Sequence, residues 1–357
     1  MKKMIAWLVI VFSVIGFSSA GAEEYLNCKL AEGVYIDAEI PNIVRENIAV
    51  YPAETKAFSI EEIAAILMKK EYGNWCVDEN KYQMTLTSEY ERLTIPSSSG
   101  QFFGAFSVSY TNEKEYNKYS WLDQPEFRKD AGLPEEHQDL TFMSKEEAIE
   151  ICNEKLRHFN PGFEPQCSYV YAYTAEDLNT VRDWLYENDA MYHSFCDSQK
   201  IAWVDEFQTE DEMYTLGFVF SLDDIVIYNN SEMGIQPLSE NAAPQANKVF
   251  AEIVLNREGI IYFYLSDCIG LIGEAEVEST IDVVEAAMQA AKIFDDVILT
   301  TPVLFNQVYL EYLPWKGENA SRTMRPAWCF CITMADDPQM DIFEVCRIDA
   351  VTGEVIR

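Results

Sequence analysis

The chain has 357 residues, of which 60 are Asp or Glu and 26 are Lys or Arg, for a formal net charge of −34. That charge excludes nucleic acid as a partner and repels anionic membranes and wall polymers, while it favours solubility and cationic partners. With 48% apolar and 13% aromatic residues, the chain can nevertheless build an ample core.

Lys2 and Lys3 precede an apolar run over residues 4–17, and Ala20-Gly21-Ala22 completes an A-x-A pattern. This predicts a secretory signal peptide over residues 1–22, cleavage after Ala22 and a secreted, extracellular mature protein. The run is short for a bilayer-spanning helix, and no second long apolar stretch follows. Tyr25-Leu26-Asn27 lacks the small residue that lipid attachment at Cys28 would require.

Residues 34–40 alternate as a strand ended by Pro41. Ser59 with Glu62, and Ser144 with Glu147, each place Glu three residues after Ser and ahead of an apolar run, the capping-box signature of a helix start. The first helix should bury Ile60, Ile63, Ala64, Leu67 and Met68, with Phe58 stapled onto Ile63. The second should bury Ala148, Cys152, Leu156 and Phe159 and stop at Asn160-Pro161-Gly162. An aromatic strand is expected over residues 101–110, a helix over 175–186, and strands over 213–220 and 224–228. Residues 249–255 and 260–265 read as a hairpin around Asn256-Arg257-Glu258-Gly259. A last helix begins near Ser279, with Asp282 capping and Val284, Ala287, Met288 and Ala291 facing inward. Helices and strands do not alternate regularly. The pattern is therefore α+β, with helix-plus-antiparallel-strand units in mixed or antiparallel sheets and helices on one face. Polar stretches at 112–138 and 229–248 divide the chain into regions 23–135, 136–240 and 241–357.

No phosphate-cradling glycine loop, G-x-S-x-G or H-E-x-x-H occurs. His137, His158 and His193 are far apart in sequence. Only His193 lies near a cysteine, Cys196, without further zinc ligands at suitable spacing. No catalytic, cofactor-binding or metal-binding residue is assigned. Asp223-Asp224, Asp295-Asp296 and Asp336-Asp337 invite a two-carboxylate hydrolase reading, but such doublets also arise in solvated turns of an acidic chain. Tyr169, Tyr171 and Tyr173, and Tyr262, Phe263 and Tyr264, are either cross-strand packing or a glycan or peptide platform.

Nine cysteines leave at least one thiol free or paired between molecules. Trp328, Phe330 and Ile332 alternate with Cys329, Cys331 and Thr333, with Phe343 and Val345 on the returning strand. A four-residue loop at Asp336-Asp337-Pro338-Gln339 would set Cys329 opposite Cys346, and a two-residue loop would set Cys331 there. The C-x-C is thus expected to be structural, with at most one of its cysteines bridged to Cys346.

"VYIDAEIP" followed by "FSIEEIAAIL", the hairpin "VLNREGIIYFYLSD" and the tail "RPAWCFCI" ending in "IDAVTGEVI" together resemble a family of secreted or lipid-anchored clostridial proteins of unknown function. Region 241–357 looks similar to PepSY and YycI type extracytoplasmic domains. The resemblance implies an α+β fold, a Gram-positive host and an extracytoplasmic site, and it carries over no catalytic residue. The expected function is a non-catalytic binding or regulatory protein that engages a protein or peptide of the cell envelope, cationic in character. The alternative is a secreted hydrolase using paired carboxylates.

Overall fold

The computed structural model describes residues 24–40, 47–56, 58–68, 76–79, 83–87, 90–96, 107–134, 139–198, 200–201, 203–227, 250–266, 268–316, 321–334 and 344–356. The leader, His137 and the Asp336-Asp337 doublet lie outside them. Strands β1 (Glu24–Ala31), β2 (Val34–Ile40) and β3 (Asn47–Thr55) lead into α1 (Ile60–Leu67). Next come β4 (Cys76–Glu79), β5 (Gln83–Thr87), β6 (Glu91–Pro96), β7 (Val108–Asn112), α2 (Glu113–Tyr116), α3 (Pro125–Asp130) and α4 (Lys145–Phe159). The middle holds β8 (Glu164–Tyr173), α5 (Ala175–Asn188), α6 (Ala190–Asp197), β9 (Met213–Leu222) and β10 (Ile225–Val226). After β11 (Phe250–Asn256) and β12 (Gly259–Leu265) come β13 (Ile269–Leu271), β14 (Glu276–Ser279) and α7 (Val283–Ala291). The chain ends with β15 (Val303–Lys316), β16 (Ser321–Met334), β17 (Glu344–Asp349) and β18 (Val355–Ile356).

The fold is α+β, with two mostly antiparallel sheets of nine described strands each. In the first, β1-β2-β15-β16-β17-β18 run side by side, β3 also pairs β16, and β13 and β14 pair β3. The pairing of β2 with β15 is parallel. In the second, β8, β9, β11, β12, β7, β6, β5 and β4 follow one another, with β10 folding back on β9. The first sheet draws strands from regions 23–135 and 241–357, and the second from all three regions, so sheet membership does not follow the sequence divisions. Residues 112–134, part of the stretch read from the sequence as a boundary, hold α2 and α3 and bury Tyr119 and Leu122.

Both predicted capping boxes are present. Glu62 N donates to Ser59 Oγ and Ser59 N donates to Glu62 Oε2, and Ser144 with Glu147 repeats the exchange. From α4, Ala148, Cys152, Leu156 and Phe159 enter one continuous core with Ile63, Ala64 and Leu67 of α1, α7 and the inner faces of both sheets. The helices α2, α3, α5 and α6 lie on the opposite face of the second sheet, around Tyr173, Met213, Val254 and Tyr262. Helices therefore cover both faces of that sheet rather than one. The last helix is capped by Asp282 as expected and starts at Val283, but its inward face differs: it buries Val283, Ala286, Ala287, Ala290 and Ala291 while Met288 is 53% exposed. The face that α7 turns toward β1, β16 and β17 is thus made largely of small side chains.

The C-terminal register matches neither predicted loop. Phe330 opposes Cys346, Cys329 opposes Arg347 and Cys331 opposes Val345. Cys346 therefore shares the core face of Trp328 and Phe330, while Cys329 and Cys331 face the other side with Leu313 and Ala327. A bridge from either to Cys346 would cross the sheet. Both faces of β16 are buried, not the tryptophan face alone.

Candidate functional site

Alternation along the second sheet sets up the site. One row of directly opposed residues, Leu216, Ile253, Phe263, Tyr110, Leu93 and Leu86, is buried in the core. The next residue along each strand points outward. On β9 these outward positions include Thr215 and Gly217, which interrupt a largely apolar segment. Gly217 is needed for a close approach: a Cβ there would stand 2.1 Å from Tyr169 Cε1. The Tyr169 ring lies across Gly217, and its hydroxyl donates to Glu252 Oε1 at 3.3 Å.

The α2–α3 segment forms the opposite wall of a cleft of about 750 Å3 lined by Tyr116, Asp123, Tyr169, Thr215, Glu252 and Tyr262 among others. Tyr116 stacks on Tyr262 with ring centroids 4.6 Å apart and an interplanar angle of 13°. Its hydroxyl donates to Asp123 Oδ2 at 2.8 Å. Asp123 is 9% exposed and Thr215 5% exposed, and the Thr215 hydroxyl has no hydrogen-bond partner among the described residues.

Burial pushes the Asp123 carboxyl up to about 6, against the opposing pull of the Tyr116 hydrogen bond, and the Glu252 charge adds to the rise. Glu252 is raised as well, chiefly by burial, with the Tyr169 hydrogen bond opposing and Glu126 reinforcing. Burial also raises the tyrosines Tyr116, Tyr169 and Tyr262, which stay neutral. The cleft thus joins two desolvated carboxyls, aromatic faces and a buried hydroxyl. Such a set attracts a cation through charge and ring quadrupoles together.

Of the sequence candidates, Tyr169 and Tyr262 enter this cleft, and Tyr171 and Tyr264 share its sheet face. Tyr173 is fully buried, with the Arg128 guanidinium 5.0 Å from its ring centroid. Phe263 faces the core. Asp223-Asp224 forms the two-residue turn between β9 and β10, both residues at positive φ (52° and 65°), and Tyr51 donates to Asp223 from β3. Asp295-Asp296 is an exposed turn after α7. His158 stacks on Phe58, and His193 lies on α6 with Nε2 3.6 Å from Asp197 Oδ2. Among the described residues no group of three His, Cys, Asp or Glu is placed to hold a metal ion. The Cys329 thiol is raised by burial, and Cys331 is pushed up to about 12 by the same cause. Neither doublet within the described residues meets Asp123 or Glu252, which sequence reasoning did not single out. The available signals were Gly217 inside a largely apolar strand and Glu252 as the one charged residue of β11.

No protein-family model matches the chain, and no curated protein matches its sequence. Among solved structures, it is similar to that of an uncharacterized protein from Eubacterium rectale. That match has 13% identity over 93% of each chain and a TM-score of 0.47.

Proposed function

We propose that this is a non-catalytic, extracytoplasmic binding protein of a Gram-positive bacterium, and that the Asp123–Glu252 cleft captures a cationic group of a protein or peptide in the cell envelope. The observation behind this reading is the cleft itself: stacked Tyr116 and Tyr262 beside two carboxyls that burial deprives of water. An ammonium or guanidinium group entering it would replace lost solvation with charge and ring contacts. The surplus of acidic residues steers such ligands toward the protein. The leader-like segment and the resemblance in sequence support the extracytoplasmic assignment. Calorimetric titration with lysine amide tests the reading. Binding to the parent protein and at least about tenfold weaker binding to Glu252→Gln are expected. Equal affinity of the two proteins would refute it.

A second reading rests on one observation. A carboxyl that holds its proton up to about 6 beside a second carboxylate is the equipment of a general acid in glycoside hydrolysis. Turnover of an oligosaccharide panel that is abolished in Asp123→Asn would replace the binding function with this one.

A further inference from the structure

The cleft is continuous with a row of side chains that crosses the rest of the second sheet. Glu252 opposes Tyr264, Tyr264 opposes Ser109, Ser109 opposes Thr94, Thr94 opposes Thr85, and Thr85 opposes Asp78. Directly opposed residues of antiparallel strands share a face, and Thr85 Oγ1 lies 3.4 Å from Thr94 Oγ1. Tyr264, Ser109, Thr94 and Thr85 are half-buried and Asp78 is exposed, whereas the adjacent row on the same strands is buried core. The row runs from the Glu252 carboxyl, over one aromatic ring and three hydroxyls, to a second carboxylate. Arg92, in the neighbouring outward row, is ion-paired with Glu113 at 2.8 Å. At the cleft end, the Thr215 hydroxyl is buried without a partner among the described residues and lines the cavity.

We propose that the cleft and this row form one track for an extended basic peptide, with one cationic side chain held between Asp123 and Glu252 and another reaching Asp78. The proposal rests on the cation-binding reading of the cleft and adds the length and direction of the ligand. Five strand spacings separate Glu252 from Asp78, about 24 Å at about 4.8 Å each. An extended chain covers that distance in about seven residues. The hydroxyls of Ser109, Thr94 and Thr85 are placed to bond the peptide groups between the two charges. Carboxylates at both ends, on a chain of net charge −34, select a cationic polymer over a neutral glycan.

The test compares calorimetric titrations of lysine amide and heptalysine amide at physiological salt. The track predicts at least about tenfold tighter binding of the heptapeptide. Thr94→Arg, which sets a positive charge in mid-track, should remove that gain and leave lysine amide unaffected. Val277→Arg, the same change in charge on exposed β14, should preserve it. No gain with length would mean that the cleft binds alone, and equal losses from Thr94→Arg and Val277→Arg would mean diffuse attraction; either result would overturn the track while leaving the cleft reading intact. Failure of lysine amide itself to bind would overturn both. A neutral oligosaccharide whose binding is lost in Thr94→Arg, with no peptide binding, would reassign the track to a glycan.

Discussion

Asp123 is the residue whose chemistry is set most strongly by its position. Its carboxyl holds a proton up to about 6 in the folded protein, whereas the unfolded chain releases it near about 3.9. Between those values the folded state binds more protons, so stability falls as pH rises through the window, by up to about 3 kcal/mol for this group. Asp123→Asn removes that dependence and keeps an acceptor for the Tyr116 hydroxyl. Thermal or urea unfolding should find the variant more stable than the parent above about pH 6, with the difference vanishing near pH 4. A variant less stable at both pH values would contradict the assignment. Gly217 gives a second prediction. In Gly217→Ala the new methyl would overlap the Tyr169 ring, driving it off the sheet and breaking its bond to Glu252, at a cost of about 1–3 kcal/mol. In a double-mutant cycle, Tyr169→Ala should suppress most of that cost. Simple additivity of the two changes would show that the ring does not lie there.

At the level of elements, local chemistry was readable where one rule decided the outcome. Ser-x-x-Glu marked the starts of α1 and α4, and the period of Ala148, Cys152, Leu156 and Phe159 marked the buried face of α4. Thr174 and Asp177 complete the same exchange at α5 with aspartate in place of glutamate, a variant outside the Ser-x-x-Glu pattern. Replacing Ser144 or Ser59 with alanine strips an acceptor from an orphan amide and should lower stability by about 1 kcal/mol, read as a lower denaturant midpoint. Parent-like midpoints for both variants would separate these caps from global stability. Elements governed by partners elsewhere in the chain were less readable. The inward face of α7 is the alanine stripe rather than Met288, an outcome fixed by how the helix packs on β1, β16 and β17 and not by its own sequence period. The register of β16 on β17 was set by which face takes Cys346 and Ile348 into the core and which pairs Arg347 with Glu311 at 2.7 Å.

For the whole molecule, the α+β class and the acidic character followed from the sequence, but the site did not. Asp123, Glu252 and Gly217 lie on separate segments, and only the order β8-β9-β11 and the folding of α2 over that face bring them together. Carboxylate doublets drew attention because they are adjacent in sequence, whereas the pair that shares an environment is separated by most of the second sheet's connectivity. The secretion assignment belongs to the chain as a whole: N-terminal sequencing of secreted material should start at Glu23, and an intact leader in the membrane fraction would refute it. A cleft that binds a cation through an ionised Asp123 must lose affinity as that carboxyl takes up its proton. The direct measurement is calorimetric affinity for lysine amide as a function of pH. Affinity should be nearly constant above about pH 7 and fall toward tenfold per pH unit below about pH 6, as Asp123 takes up the proton that its burial and the nearby Glu252 charge favour. In Asp123→Asn it should be weak throughout and flat across that step. A parent profile that is flat between pH 5 and 7.5, or that Asp123→Asn reproduces, would contradict the account.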